Sequence, residues 1–313
     1  MAALAFAVLA VLLVGPVPAL LARAKWPLRA PRATIVLWQA IALAAVLSAF
    51  SAGIAVASRL LMPGPDGRPT ASLFGDINRL GWPLWTLYVS VFAVTVLVGA
   101  RLALAVLRVA IATRRRRAHH RMLVDLLGVG NQDMGSQTGV RDLRILEVAQ
   151  PLAYCLPGMR SRVVVSEGTL ASLTDAEIAA ILSHERAHLR ARHDLVLEGF
   201  TAVRAAFPRF VRSTSALNSV RLLVELLADD AAVRVVGRTP LARALVACAS
   251  GRTPAGALAA GGPTTVVRVR RLSGRGNSLA LALGAYLAAA AVLVVPTIAL
   301  AVPWLIELHR LFA

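Results

Sequence analysis

Thr174-Asp175-Ala176-Glu177 opens, and Ser183-His184-Glu185-Arg186-Ala187-His188-Leu189 carries, the segment from which the rest of the chain can be read. The first four residues have the Thr-x-x-Glu form of a capping box, whose hydroxyl and carboxylate accept the backbone N–H groups left over at a helix start. Ile178, Ile181, Leu182 and Leu189 then mark an apolar side suited to burial. On that helix His184 and His188 stand four residues apart, rotated by only about 40°. Their imidazoles form a two-point metal clamp. Catalytic zinc takes imidazole nitrogen at about 2.0–2.1 Å and keeps one position for water, whose proton Glu185 is placed to accept. The pattern H-E-x-x-H in this context predicts a hydrolytic zinc site.

The chain around this helix belongs in a membrane. Of 313 residues, 58% are hydrophobic, with a mean hydropathy of +0.69, above an ordinary soluble protein. Four apolar runs, near 3–22, 34–57, 83–107 and 278–303, reach the roughly 20 residues needed to cross a hydrocarbon core. Residues 1–22 read as a retained span rather than a cleaved leader, because no positive side chain precedes the apolar run. The expected fold is mainly α, a four-span helical membrane protein with a small α+β zinc protease domain between spans three and four. Residues 1–113 hold three spans and short loops, 114–277 the cytoplasmic protease domain, and 278–313 the fourth span and a short external tail.

The net charge of +18 is mostly topological. Arg23, Lys25, Arg29 and Arg32 fill the first loop, Arg114 to Arg117 with Arg121 follow span three, and Arg268, Arg270, Arg271 and Arg275 precede span four. The second loop mixes Arg59, Arg68 and Arg79 with Asp66 and Asp76. This asymmetry predicts a multi-pass protein of the cell membrane with residues 108–277 in the cytoplasm and both termini outside. The Arg114–Arg117 run is expected to meet lipid head groups, and no aromatic or base-reading groups interleave it, so no direct nucleic-acid binding is expected. Cys155 and Cys248, the two cysteines, imply neither a disulfide framework nor a zinc thiolate site.

Beyond the motif, Pro63-Gly64-Pro65-Asp66-Gly67 marks a turn-rich outer loop, and Gly128, Gly130, Gly135 and Gly139 interrupt regular structure after span three. The adjacent His119 and His120 point about 100° apart on a helix, a poor chelate. Ile145–Val148 and Arg162–Ser166 read as strands around Pro157-Gly158, suited to hairpin packing or to offering a free edge to an extended peptide. A second apolar helix ends near Phe207-Pro208, and a long one spans about 215–236 with Gly237 as its C-cap. Ala255 to Gly262 reads as a small-residue linker.

A catalytic zinc needs a third protein ligand. Glu225, on the long helix, is favoured, with Asp229 one turn beyond to accept the second ring N–H of a ligating histidine. The alternative ligand is Asp194, where the longer H-E-x-x-H-x-x-G-x-x-H pattern has its last histidine. That pattern turns sharply at a glycine, and Ala191 stands there instead. His193 falls off the clamp face and is assigned behind the ligands or to the surface, and Asp230 to solvent or a salt bridge. Tyr154 or an arginine could stabilise the oxyanion.

Four spans, H-E-x-x-H between the third and fourth, and the later Glu225-Leu226-Leu227-Ala228-Asp229 resemble the BlaR/MecR-type membrane metalloproteases, the antirepressor proteases of bacterial antibiotic-resistance switches. Tyr154-Cys155-Leu156-Pro157-Gly158, Val163 to Gly168 and Arg192-His193-Asp194 are similar to actinobacterial members. The resemblance implies a gluzincin-like domain in which His184, His188 and Glu225 bind zinc and Glu185 is the general base. It also implies a protein substrate, a winged-helix repressor of the BlaI kind. The sensors of this family carry a penicillin-binding domain with S-x-x-K after span four. Here Leu305 to Ala313 follow that span and Lys25 is the single lysine, so the expectation is a different stimulus, a separate sensor protein, or constitutive activity. Two other roles fit the pattern: membrane-protein quality control, as in the similar HtpX-type proteases, and a non-proteolytic signalling scaffold that keeps zinc only to hold its helices together.

Overall fold

The computed structural model describes residues 2–58, 76–130, 142–158, 161–207, 214–250, 258–259, 264–274, 276–303, 305–306 and 309. The outer-loop turn Pro63–Gly67, Gly135 and Gly139, and most of the Ala255–Gly262 stretch lie outside these residues. Four helical segments are long and apolar enough to cross a membrane: Ala2–Arg23, Pro31–Ala57, Leu80–Leu127 and Leu279–Ala301. The first is broken at Gly15 into α1 (Ala2–Val14) and α2 (Pro16–Arg23). Pro16 sits at the first position of α2, where its missing N–H costs no hydrogen bond. A short turn at Trp26–Arg29 leads into α3 (Pro31–Ala57).

The third membrane helix, α4 (Asp76–Leu127), breaks once, at Gly81 with φ 74° and ψ 154°. Its 48 residues from Leu80 make a rod of about 70 Å, more than twice the hydrocarbon thickness of roughly 30 Å. The excess projects beyond the apolar run. Of the basic run expected at lipid head groups, Arg114, Arg115 and Arg116 are exposed. Arg117 turns inward to Asp194 (3.0 Å) and Glu198 (2.7 Å).

A five-stranded sheet caps this projection, built from β1 (Val129–Gly130), β2 (Leu143–Leu146), β3 (Ala153–Leu156), β4 (Arg162–Ser166) and β5 (Leu258–Ala259) in the order β1-β2-β4-β3-β5. β2 and β4 run parallel and the other pairs antiparallel. The expected strands 145–148 and 162–166 are therefore not a hairpin with each other. The hairpin partner of β4 is β3, whose four residues are all buried. β4 is central and β2 carries β1 on its outer side, so neither has the free edge suggested for a peptide. Arg162 pins the sheet to the end of α4 through Asp125 (3.0 Å) and to Asp142 (3.0 Å).

Six helices follow: α5 (Glu167–Ser172), α6 (Asp175–Ala191), α7 (His193–Ala206), α8 (Thr214–Val236), α9 (Arg238–Ala247) and α10 (Thr265–Ser273), before α11 (Leu279–Pro296) recrosses the bilayer. α6 begins with the expected capping box, Thr174 and Glu177. α8 ends at Gly237 with φ 86°, a conformation that glycine adopts without steric cost.

Two apolar clusters decide where α8 sits. Val163 and Val165 of the sheet, Ile178, Ile181 and Leu182 of α6, Ala232 of α8, and Leu241 and Leu245 of α9 form one. The second joins Leu13, Trp38 and Ile41 of the membrane bundle to Val220, Leu223, Val224 and Leu226 of α8. The N-terminal half of α8 thus belongs to the bundle and its C-terminal half to the protease layer. Leu241 is fully buried under α6. Leu241→Ala is expected to cost about 2–5 kcal/mol, read as a lowered melting temperature of the detergent-solubilised protein.

Candidate metal centre

α6 and α8 cross with their functional residues facing each other. His184, His188 and Glu225 offer ligand atoms that all lie within 4.8 Å of one another. The two imidazoles aim their Nε2 atoms together at 3.1 Å, and Glu225 Oε2 and Oε1 lie 3.4 Å and 3.6 Å from His184 Nε2 and His188 Nε2. Two ring nitrogens brought this close need a proton or a cation between them.

The surroundings orient these groups. His184 Nδ1 is 3.0 Å from Asp229 Oδ1, the carboxylate one turn along α8 from Glu225. Arg268, from α10, is itself buried and binds Asp229 with two nitrogens, Nε donating to Oδ2 at 2.8 Å and a terminal nitrogen to Oδ1 at 2.5 Å. Its other terminal nitrogen lies 3.0 Å from Glu225 Oε2. Behind His188, the Nδ1 atoms of His188 and His193 are 3.0 Å apart.

Electrostatics favour a cation here. Burial works against charge on His184, but Asp229 and Glu225 outweigh it and raise its pKa to about 9. Burial alone dominates for His188 and His193, which fall to about 3 and about 4. Glu185, fully buried, is raised to about 8 by burial, against the pull of His184 and of a side-chain hydrogen bond from the Cys155 thiol, and no other group among the described residues bonds to its oxygens. Burial opposes ionisation of Asp229 as well, yet Arg268 and His184 hold its pKa well below the usual carboxylate range. A set of two imidazoles and one carboxylate, beside a second, buried carboxylate, fits a zinc ion with a base next to it.

The remaining candidates fall elsewhere. Asp194 is buried but held by Arg117, and among the described residues it is not part of the cluster. Asp230 is salt-bridged to Arg271 at 2.7 Å. Tyr154 alternates with Cys155 along β3. Cys155 joins the cluster under α6, whereas Tyr154 faces Val124 and pairs with His120 Nε2 at 3.0 Å. Tyr154 is therefore turned away from the metal ligands, which removes it as an oxyanion donor, and the half-buried His120 is its partner.

A family model described as BlaR1 peptidase M56 matches residues 66–207, and one described as Peptidase family M48 matches residues 141–276. The chain is a membrane zinc metallopeptidase of the M48/M56 kind. The two matches overlap across the motif helix, the first reaching back into the third membrane helix and the second forward through Glu225, Asp229 and Arg268. No curated protein and no solved structure matches the chain.

One residue of the metallopeptidase's site escaped the sequence pattern. Arg268 stands in a basic segment that reads as a membrane flank, and its inward face shows only as a 3.6-residue period with Thr265 and Leu272, all buried. His193 takes the place behind the ligands, one of the two assigned to it from sequence, through the helix break before it. If Asp229 orients His184, Asp229→Asn weakens zinc binding by about 10–100-fold, measured by competition with a chromogenic chelator.

Proposed function

We propose that the metallopeptidase hydrolyses peptide bonds of a cytoplasmic protein, a winged-helix repressor of the BlaI kind, as part of a signalling switch. Zinc, held by His184, His188 and Glu225, supplies Lewis acidity for water and for the scissile carbonyl. Glu185 takes the proton from water and returns it to the departing amine. Its buried carboxylate beside the ligand cluster is the observation that carries the reading, because burial raises its pKa and so strengthens it as a base toward water. A structural zinc would be closed by four protein ligands, and the cluster offers three among the described residues. Asp229 orients His184, and Asp194 fastens α7 to α4 instead of serving as a ligand.

The M56 match supports the repressor as substrate. The M48 match over 141–276 supports a second reading, membrane-protein quality control of the HtpX kind. Comparing cleavage of a BlaI-like repressor with cleavage of misfolded membrane proteins in the same vesicles separates the two. In either case Glu185→Gln is expected to retain zinc while cleavage falls by about 10²–10⁴-fold. Equal cleavage by wild type and variant would remove Glu185 from the mechanism.

The orientation belongs to the same proposal, with the protease layer cytoplasmic and both termini outside. Arg271 bonds to Leu28 O at 2.6 Å and Ser278 N to Arg29 O at 2.8 Å, so the basic first loop lies on the protease side. A disulfide-dependent phosphatase reporter fused after residue 70 is expected to be active, and one fused after residue 150 inactive.

A further inference from the structure

Resting on the zinc reading above, we propose that His193 is a positioning residue for the metal centre: its Nδ1 accepts the Nδ1–H of His188 and holds that ring with Nε2 free for zinc. The two Nδ1 atoms are 3.0 Å apart, with ring planes at 84°. His188 Nε2 points the other way, into the cluster with His184 and Glu225.

The tautomers follow from this geometry. A neutral imidazole carries one N–H, so a ring that gives its Nε2 lone pair to a metal must carry hydrogen on Nδ1. His188 is 1% exposed, and a buried donor needs an acceptor. His193 Nδ1 is in place to accept, its own hydrogen lying on Nε2. The opposite arrangement would put hydrogen on His188 Nε2 and remove it as a ligand.

The chain is bent to bring this about. On an unbroken helix His193 would lie about 140° around from His188, away from it. Instead α6 ends at Ala191, α7 begins at His193, and Arg192 alone joins them in the left-handed conformation with φ 51° and ψ 43°. A non-glycine residue there costs energy, and the bend it makes carries His193, 5% exposed, beneath His188. The acceptor also suits its surroundings. His184 already leans on a carboxylate, Asp229, and a further carboxylate behind His188 would add negative charge to a buried site holding Glu185, Glu225 and Asp229. A neutral ring orients the ligand without doing so.

The test uses the full chain in detergent, with zinc affinity from chelator competition, the visible absorption of the cobalt-substituted protein, and the melting temperature of the metal-free protein. His193→Leu is expected to bind zinc about 10–100-fold more weakly and to shift the cobalt bands. His193→Asn, whose amide oxygen stands close to the place of Nδ1, is expected to restore both. If His193→Leu does not fold, His193→Phe takes its place in the comparison. Wild-type zinc affinity and cobalt spectrum in the apolar variant, or an Asn variant no better than the Leu one, would make His193 a packing residue and overturn the proposal. His188→Ala is measured alongside. Wild-type affinity in that variant, or no zinc bound by wild type, would instead refute the zinc reading beneath it.

Discussion

Glu185, Glu225 and Asp229 lie within one buried cluster, and carboxylates taken out of water do not stay ionised together without cations beside them. Much of the protease layer answers that constraint. α6 supplies two imidazoles, α8 supplies two of the carboxylates, and α10 delivers Arg268 against both of these. The raised pKa of His184 shows the same field acting on a proton. Zinc enters a place where positive charge is already called for.

Because α8 carries Glu225 and Asp229, whatever holds α8 holds the site, and its first half is packed among membrane helices. Arginines strengthen the junction. Arg117 ties α4 to α7, Arg162 ties the sheet to Asp125, and Arg271 ties α10 to Asp230 and to the first loop. Arg117 and Arg271 belong to the charge excess that predicts topology. Arginines that flank the apolar runs in the sequence thus pin the folded domain to its bundle.

Much of this was legible from spacing. The motif helix, its capping box, the four spans, the long helix with Glu225 and Asp229, and Gly237 at its end follow local rules of periodicity and backbone preference, and local rules act within one element. What the sequence did not show depends on contacts between distant elements. β3 is a short run, Ala153–Leu156, without alternating polarity because it is buried on both faces. The parallel pairing of β2 with β4 requires β3 to be placed first. Arg268 looks like any membrane-flanking arginine until Asp229, 39 residues earlier, is found beside it. The position of His193 hangs on a single left-handed residue, Arg192, which no glycine announced.

α4 has one break, at Gly81 near its N-terminal end, and none through the stretch that leaves the apolar run and reaches Arg117. Within α4 no joint separates the apolar run from the end that meets the catalytic layer. Between Arg108 and Arg117 the helix rises about 14 Å, and Arg117 fastens it to α7 directly behind the zinc ligands. The helix acts as a ruler: the candidate metal centre stands at a set distance along α4 from the apolar run.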